Sequence, residues 1–203
     1  MTWKNVCKVK EKFKHGFTNG VWSPHAKGYT VSHGYAWLGD HGLKVNWWPL
    51  VWNNWNIPKH SIISWLIFQE GLNLKTRLFQ IGCCEDDLCL LCGEVPETYA
   101  HLTTDCPFSR KIAGLTEAWN GRKFPTINAL QTGRQSSMQW KAMTMLMNAF
   151  LYTIWYHRNQ TRLLQAVTRP EIVASQLEQT VRMRGRSKVG EGLDRAVDCW
   201  QAN

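Results

Sequence analysis

Four residues with metal-binding side chains lie close together in the middle of the sequence. Cys89 and Cys92 are followed by His101 and Cys106, which gives the spacing C-x2-C-x8-H-x4-C. Thiolates and imidazoles are the ligands that Zn²⁺ prefers, and two pairs at such spacings let a short segment surround one ion. Because four protein ligands leave no open coordination position, the spacing predicts one structural zinc ion without a catalytic role.

Other roles for the cysteines remain open at this point. Five of the seven cysteines lie between Cys83 and Cys106, and such clustering favours metal over disulfides in a reducing compartment. A C-x2-C pair can also be a redox dithiol, but no thioredoxin-like βαβ pattern surrounds Cys89 and Cys92. Cys83 or Cys84 could compete as a ligand, although the spacing favours Cys89.

The charge of the chain is unevenly distributed. Its 203 residues include 24 Lys and Arg against 15 Asp and Glu, which gives a formal net charge of +9. Residues 80–106, around the predicted zinc site, contain six acidic residues and no basic one. Phosphates are therefore expected to avoid the zinc site, and non-sequence-specific RNA or DNA to contact basic segments elsewhere. The residues predicted to make these contacts are Lys8, Lys10, Lys12, Lys14, Arg110, Lys111, Arg182, Arg184, Arg186 and Lys188.

No catalytic pattern accompanies the zinc motif. The sequence has no P-loop, no G-x-S-x-G and no H-E-x-x-H motif. Asp86 and Asp87 are adjacent, but they lack the apolar strand flanks that converging carboxylates need in two-metal enzymes of nucleic-acid chemistry. We therefore expect no enzymatic activity and no small-molecule substrate.

The patterns around the motif predict a mainly α fold with a small N-terminal β-hairpin. An irregular CCHC module, similar to a zinc knuckle, is expected between helices. Two short β-like runs, residues 17–22 and 29–31, are the predicted hairpin, and a short helix is expected to follow them. The helices predicted along the chain cover residues 32–38, 72–81, 107–119, 136–166 and 168–183, and a further helix is predicted to begin at Pro58 and to include Ile62, Ile63, Trp65, Leu66 and Phe68.

Two aromatic and apolar patterns indicate the core. Trp48, Trp52 and Trp55 recur at helical spacing and predict a stripe on a helix that ends before Pro58. This stripe is expected in the core rather than on a base-stacking surface. The helix from Pro58 is apolar around most of its circumference, so it is expected to be central.

The domain organisation follows from these elements. The predicted parts are a basic N-terminal segment (1–46), the zinc-binding domain (47–119), a loop (120–135), a C-terminal helical pair (136–184) and a basic flexible tail (185–203). The apolar run 142–155 is too short to span a membrane. Lysines occupy the place of an apolar signal-peptide core, which predicts an intracellular protein of the nucleus or cytoplasm.

The motifs together resemble a known family. They read VWNNW at 51–55, IPKH at 57–60, SWL at 64–66, LNLKTRL at 72–78, DLCLLCG at 87–93 and DCPFS at 105–109, with Glu97-Thr98 and His101-Leu102 between the last two. This set resembles the zinc-binding domain at the C-terminal end of plant LINE-type (non-LTR) retrotransposon reverse transcriptases. GYTVS at 28–32 and IWYHRN at 154–159 resemble segments that flank this domain.

The resemblance implies a function for the chain. It implies that Cys89, Cys92, His101 and Cys106 bind the zinc ion, and that the chain is a non-catalytic fragment without the polymerase and endonuclease of the larger proteins. It also implies binding of template RNA or target DNA. The alternative is a structural or protein-interaction domain whose fold is stabilised by zinc and which binds no nucleic acid.

Overall fold

A computed structural model of the chain describes residues 45–133, 135, 137–164 and 168–189. The chain divides into two compact units, Met1–Val45 and Asn46–Asn203, and nearly all described residues belong to the second. The predicted hairpin, the helix predicted at 32–38 and the contacts predicted for Lys8, Lys10, Lys12 and Lys14 lie outside the described residues.

Helices account for most of the described residues. In chain order they are α1 (Trp48–Val51), α2 (Pro58–Phe68), α3 (Lys75–Gln80), a π-helical turn (His101–Asp105), α4 (Pro107–Asn120), α5 (Ile127–Thr132), α6 (Met138–Leu164) and α7 (Pro170–Val189). Proline begins α2, α4 and α7, because its fixed φ suits the first helical position and its missing N–H is not needed there. The mainly helical character predicted from the sequence is confirmed.

The β part of the predicted fold class is wrong where the structure can test it. Residues 45–189, apart from the gaps noted above, contain no strand or sheet. Their β pairing is limited to an isolated antiparallel bridge between Leu88 and Pro96 inside the zinc segment. A single bridge cannot form a sheet face, so the core of this unit is built by helices.

Helix α6 is the centre of the unit. It packs against α1, α2, α5, α7 and the π-helical turn, while α7 also packs against α4. Buried apolar residues recur every four positions on the two long helices: Leu146, Phe150 and Ile154 on α6, and Val173, Leu177 and Val181 on α7. This spacing places each set on one helix face. The pairing of α6 and α7 therefore forms the main core and connects it to the zinc segment.

Helix α1 is shorter than the predicted tryptophan stripe. Asn53 ends it, because its side-chain amide donates to Pro49 O (3.2 Å) and its Oδ1 accepts from the backbone N–H of Trp55 (3.0 Å). Trp55 is buried, but Trp48 and Trp52 are 56% and 40% exposed. The prediction that the stripe lies in the core is therefore wrong for two of its three rings.

Helix α2 has the predicted position but an unexpected orientation. It buries Ser61 and Ser64 and exposes Ile62 and Trp65. The hydroxyl of Ser61 donates to Val51 O at 2.7 Å, which supplies a donor to a carbonyl at the C-terminal end of α1. Ser61 is therefore buried because it completes the hydrogen bonding of a neighbouring helix end, whereas the buried Ser64 Oγ has no hydrogen-bond partner in the protein.

Two other predicted segments differ in detail. Residues 120–135, predicted as a loop, contain α5, which Thr126 caps by accepting from Ala129 N. The indole N–H of Trp140 donates to Leu130 O at 2.7 Å and holds this short helix against α6. The helix predicted over 72–81 is reduced to α3, which begins after Leu74.

Helix α7 extends beyond its predicted end. The sequence predicted a helix to residue 183 and a flexible basic tail from residue 185, but the helix continues to Val189. Arg184 explains the order of this last part. Its guanidinium donates to the carbonyl oxygens of Asn54 (3.3 Å), Trp55 (2.9 Å) and Asn56 (2.8 Å). The contact ties the last turns of α7 to the segment between α1 and α2.

Replacing Arg184 with glutamine is expected to destabilise the protein. Several charge-assisted hydrogen bonds to backbone carbonyls are lost, at a cost of about 2 kcal/mol. Thermal unfolding of Arg184→Gln should therefore show a lower midpoint than the parent. Lys188→Gln is the matched control, since it removes the same charge from an exposed residue of the same helix end. An equal midpoint for the two variants would show that Arg184 is not an anchor.

Candidate metal centre

The four predicted ligands meet at one point of the structure. The ligand atoms of Cys89, Cys92, His101 and Cys106 all lie within 4.8 Å of one another. Cys89 Sγ lies 4.0 Å from Cys106 Sγ, and Cys92 Sγ lies 3.3 Å from His101 Nε2. Cys89, His101 and Cys106 are buried, and Cys92 is half-buried. The spacing in the sequence thus identified a spatial cluster.

The first ligand pair lies on a tight turn. Cys89 N donates to Val95 O, and Gly93 N donates to Cys89 O at 2.7 Å. Gly93 has a φ of 71°, in the left-handed region that other residues rarely adopt. The backbone N–H groups of Leu91 and Cys92 are directed to the Cys89 sulfur. Such N–H donors stabilise a thiolate, so they partly offset the stronger causes that raise the pKa of Cys89.

The second ligand pair is set by a π-helical turn and a helix N-terminus. Cys106 N donates to His101 O at 2.7 Å, a bond across five residues that brings the two ligands to one side. Cys106 then occupies the N-cap position of α4, and the N–H groups of Phe108 and Ser109 point to its sulfur. The positive end of a helix dipole stabilises a thiolate in this position.

The dimensions of the cluster fit a tetrahedral zinc site. With Zn–S bonds of about 2.3 Å, neighbouring sulfurs of a tetrahedron lie about 3.8 Å apart. The separation of 4.0 Å between the Cys89 and Cys106 sulfurs is close to that value. Three sulfurs and one imidazole nitrogen form a donor set that zinc commonly takes in structural sites. When bound, the ion cross-links the two ligand pairs.

The electrostatics of the thiols also favour a cation. The hydrogen bond with Cys106, followed by burial, raises the pKa of the Cys89 thiol. The same hydrogen bond lowers the pKa of Cys106. Two buried thiolates this close repel each other, so both ionise only when a positive charge lies between them. A divalent metal supplies that charge, whereas a redox dithiol needs only two of these four residues.

The two spare cysteines lie outside the cluster. The thiol of Cys84 donates to Asp86 O at 3.1 Å, and Cys83 is exposed. Neither residue belongs to the group that could hold a metal ion. The sequence left them open as competing ligands, and the geometry supports Cys89 instead.

A buried ion pair, which the sequence analysis missed, supports the zinc segment. Glu97 and Arg158 side chains are both 0% exposed and form a salt bridge. Arg158 Nε lies 3.0 Å from Glu97 Oε1. The carboxylate also accepts from Lys75 N (2.9 Å) and from Leu90 N (3.3 Å), which lies between the first two ligands. Glu97 thus connects the ligand loop to α3 and α6.

The signal for this pair was weak in the sequence. Glu97-Thr98 and IWYHRN resemble family motifs, but nothing in the sequence connects two residues that are 61 positions apart. The indole of Trp155 lies against the guanidinium of Arg158, 4.8 Å from ring centroid to carbon. Arg158 Nη2 also donates to Asn73 O at 3.3 Å. The guanidinium is therefore held by several partners inside the protein.

The structure distributes the predicted nucleic-acid contacts over different surroundings. Arg110 is exposed on α4 but pairs with Asp105 at 3.2 Å, and Lys111 beside it is exposed. The guanidinium of Arg184 is occupied by its hydrogen bonds to the backbone carbonyls of residues 54–56. Arg186 and Lys188 are exposed on the last turns of α7.

Arg182 joins α7 to the end of α4. Its guanidinium lies 5.2 Å from the ring centroid of Trp119, and its Nε lies 2.9 Å from a carboxylate oxygen of Glu178. Arg122 and Lys123 follow α4 directly and are exposed. Cations from two separate elements are therefore close to one end of α4.

Among the helices that the structure describes, none combines the length and the apolar character needed to cross a lipid bilayer.

Comparison with known proteins finds a family model that matches part of the chain. The model of a family described as zinc-binding in reverse transcriptase matches residues 29–112, a segment that contains all four ligands. No curated protein and no solved structure gives a significant match to the chain. Residues 29–112 are therefore similar to the zinc-binding domains of reverse transcriptases, and they contain Cys89, Cys92, His101 and Cys106, which are grouped so that they could hold one structural zinc ion.

Proposed function

We propose that the chain is a non-catalytic nucleic-acid-binding module derived from a plant LINE-type reverse transcriptase. In this proposal the zinc ion stabilises the fold, and basic side chains away from it bind RNA or DNA without sequence specificity. The family match and the four-ligand cluster support the zinc-binding part. Charge and its location support the nucleic-acid part, and an intracellular location in the nucleus or cytoplasm fits this role.

The observation that carries the proposal is a basic end formed by two elements. We define the basic end as Arg122, Lys123, Arg182 and Arg186. The contact of Arg182 with Trp119 places α7 beside the last turn of α4, from which Arg122 and Lys123 continue. Such clustered cations on an ordered surface favour the phosphate backbone.

The loop that carries two of these cations is itself fixed. Phe124 N donates to Glu117 Oε1 at 2.7 Å, and Arg122 N donates to Asn120 Oδ1 at 2.7 Å. Gly121 ends α4 in the left-handed conformation, with a φ of 66°. The chain therefore presents Arg122 and Lys123 in a defined place, which lowers the entropic cost of binding.

Neutralising the basic end is expected to weaken nucleic-acid binding and its salt dependence. Each phosphate contact that is lost should reduce the slope of log K against log salt by about 0.7 for a single strand. Fluorescence anisotropy with a labelled single-stranded RNA, at two salt concentrations, measures both quantities. The test variant is Arg122→Gln/Lys123→Gln in the zinc-loaded protein.

The acidic zinc segment provides the control for this experiment. Glu85→Gln/Glu94→Gln changes the charge by the same amount with opposite sign at two exposed residues. Its affinity should equal or exceed that of the parent. Equal affinity of the parent at low and high salt would contradict the proposal, and so would weaker binding after neutralisation of the acidic residues.

A second candidate function is a protein-interaction domain. Exposed apolar side chains on and beside α1 and α2, namely Trp48, Trp52, Ile62 and Trp65, favour it. An interaction domain of this kind would still bind its protein partner in the Arg122→Gln/Lys123→Gln variant. It would lose this binding when Trp48 and Trp65 are both replaced with serine. Sedimentation of the parent and of this double serine variant, alone and with the labelled RNA, distinguishes the two functions.

A further inference from the structure

A cavity of about 320 Å³ lies between α2, α6 and α7. Lys59 and His60 of α2 line it, together with Tyr152, Tyr156 and His157 of α6 and Thr180 of α7. None of the four zinc ligands contributes to it. The cavity thus combines one cation, aromatic rings and hydroxyl groups at a place that the zinc chemistry does not involve.

Three rings form a stack that leads from the interior to the surface. His60 is buried and stacks on Tyr152, with ring centroids 4.3 Å apart. Tyr152 in turn stacks on Tyr156 at 6.2 Å with an interplanar angle of 19°. Tyr156 is 45% exposed. Tyr156 thus ends this row of rings with part of its side chain exposed, where a further flat ring can stack.

The electrostatic environment of the cavity is positive. Lys59 Nζ lies 4.9 Å from the ring centroid of Tyr152, and Lys59 is in the first turn of α2, at the positive end of the helix dipole. Burial, and then the charges of Lys59 and Arg184, lower the pKa of His60 to about 4. Among the described residues that line the cavity, none is acidic. These features suit a phosphate group.

A buried polar atom in the cavity wall adds hydrogen-bonding capacity. His157 is 6% exposed, and its Nε2 lies 3.1 Å from Gln176 Oε1. Its Nδ1 is buried without a hydrogen-bond partner in the protein. Buried polar atoms are usually paired, so this atom is an unsatisfied hydrogen-bonding group of a residue that lines the cavity.

We infer that this cavity holds one nucleotide of a single-stranded nucleic acid, with its base against Tyr156 and its phosphate beside Lys59. Single strands fit because their bases are free to stack on protein rings, whereas those of a duplex are not. The inference rests on the proposed function and gives it a location. A small soluble anion could occupy the phosphate position beside Lys59, but it has no base to stack on Tyr156.

The cavity and the basic end share helix α7. Thr180 lines the cavity, and Arg186 of the basic end follows it by six residues, or about 9 Å along the helix axis. Arg184, between them, also contributes to the positive potential at His60. At about 100° per residue, however, Arg182 and Arg186 lie about 200° and 240° around the helix from Thr180, so a strand that reaches both the basic end and the cavity must pass around α7.

The test compares variants of Tyr156 in the zinc-loaded full chain. Tyr156→Ala removes the stacking face and should weaken binding of a labelled single-stranded oligonucleotide about tenfold, as expected for one base–aromatic contact. Tyr156→Phe keeps the ring and should bind like the parent. Phe79→Ala is the matched control, because Phe79 is similarly exposed (48%) on α3. Thermal midpoints of all variants show whether each is folded.

Further measurements separate the possible ligands. Ultraviolet cross-linking followed by mass spectrometry should place the oligonucleotide on Tyr156 in the parent. Tripolyphosphate should bind Tyr156→Ala and the parent equally, since it has no base, and equal weakening of both probes would overturn the stacking role. If Tyr156→Ala binds the oligonucleotide like the parent, the cavity assignment fails while the proposed function stands. If the parent binds no nucleic acid, both fail.

Discussion

The His101→Ala protein is expected to contain almost no zinc and to lose the ordered structure of residues 88–106. The imidazole is one of four converging ligands, and structural zinc sites of this type contribute about 10–16 kcal/mol of apparent binding free energy. That is as large as the total stability of about 5–15 kcal/mol of a typical domain. Metal analysis should give about one zinc per chain in the parent, and hydrogen exchange in this segment should become fast in the variant.

Two comparisons make the zinc prediction specific. Cys83→Ser is the matched control, because Cys83 is exposed and lies outside the ligand cluster; it should retain the zinc and the thermal midpoint of the parent. Chelation of zinc from the parent should reproduce the exchange pattern of His101→Ala. A variant that keeps its zinc after loss of His101 would refute the assignment of this ligand.

The zinc ligands could be predicted from the sequence because their geometry is local. The x2 spacing fits a tight turn with Gly93 in the left-handed region, and the x4 spacing fits one π-helical turn from His101 to Cys106. Each pair is therefore set by backbone hydrogen bonds within a few residues. Only the meeting of the two pairs depends on the rest of the fold, and the ion's own preference for four ligands predicts it.

The burial of α2 could not be predicted in the same way. Apolar residues around most of a helix indicate a central position, but Ile62 and Trp65 are exposed and Ser64 is buried. The buried face is decided by partners far from the helix pattern, such as the Val51 carbonyl that accepts from Ser61. The periodicity of a sequence shows which side chains are apolar, but it does not show which backbone carbonyls at the ends of neighbouring helices need hydrogen-bond donors.

The end of α7 shows the same limit for charged residues. Arg182, Arg184, Arg186 and Lys188 form a basic run with glycines nearby, which is typical of a solvated tail. Arg184 instead donates to three carbonyls more than a hundred residues away in sequence. Local composition describes charge and flexibility well, but it contains no information about such a distant acceptor.

Replacing Arg158 with methionine is expected to have the second large effect, on stability and on zinc binding together. The variant leaves the buried Glu97 carboxylate without its counter-ion, which costs about 3–5 kcal/mol. In a unit of this size the thermal midpoint should fall by about 10 °C. Because Glu97 also accepts from Leu90 N in the ligand loop, zinc affinity should fall about tenfold, as for other residues that support metal ligands.

Two further variants test whether Arg158 acts on Glu97 through both the charge and the shape of its guanidinium. Arg162→Met removes a positive charge from an exposed position one turn further along α6, so it should leave both readouts unchanged. Arg158→Lys keeps the positive charge but loses the planar guanidinium, which donates to Glu97 and Asn73 at the same time. This variant should therefore recover only part of the stability that Arg158→Met loses. If Arg158→Met and Arg162→Met unfold at the same temperature, the buried pair does not hold the ligand loop to α6. If only the zinc affinity is unchanged, α6 stabilises the core without supporting the metal site, and the zinc segment folds independently of the C-terminal helices.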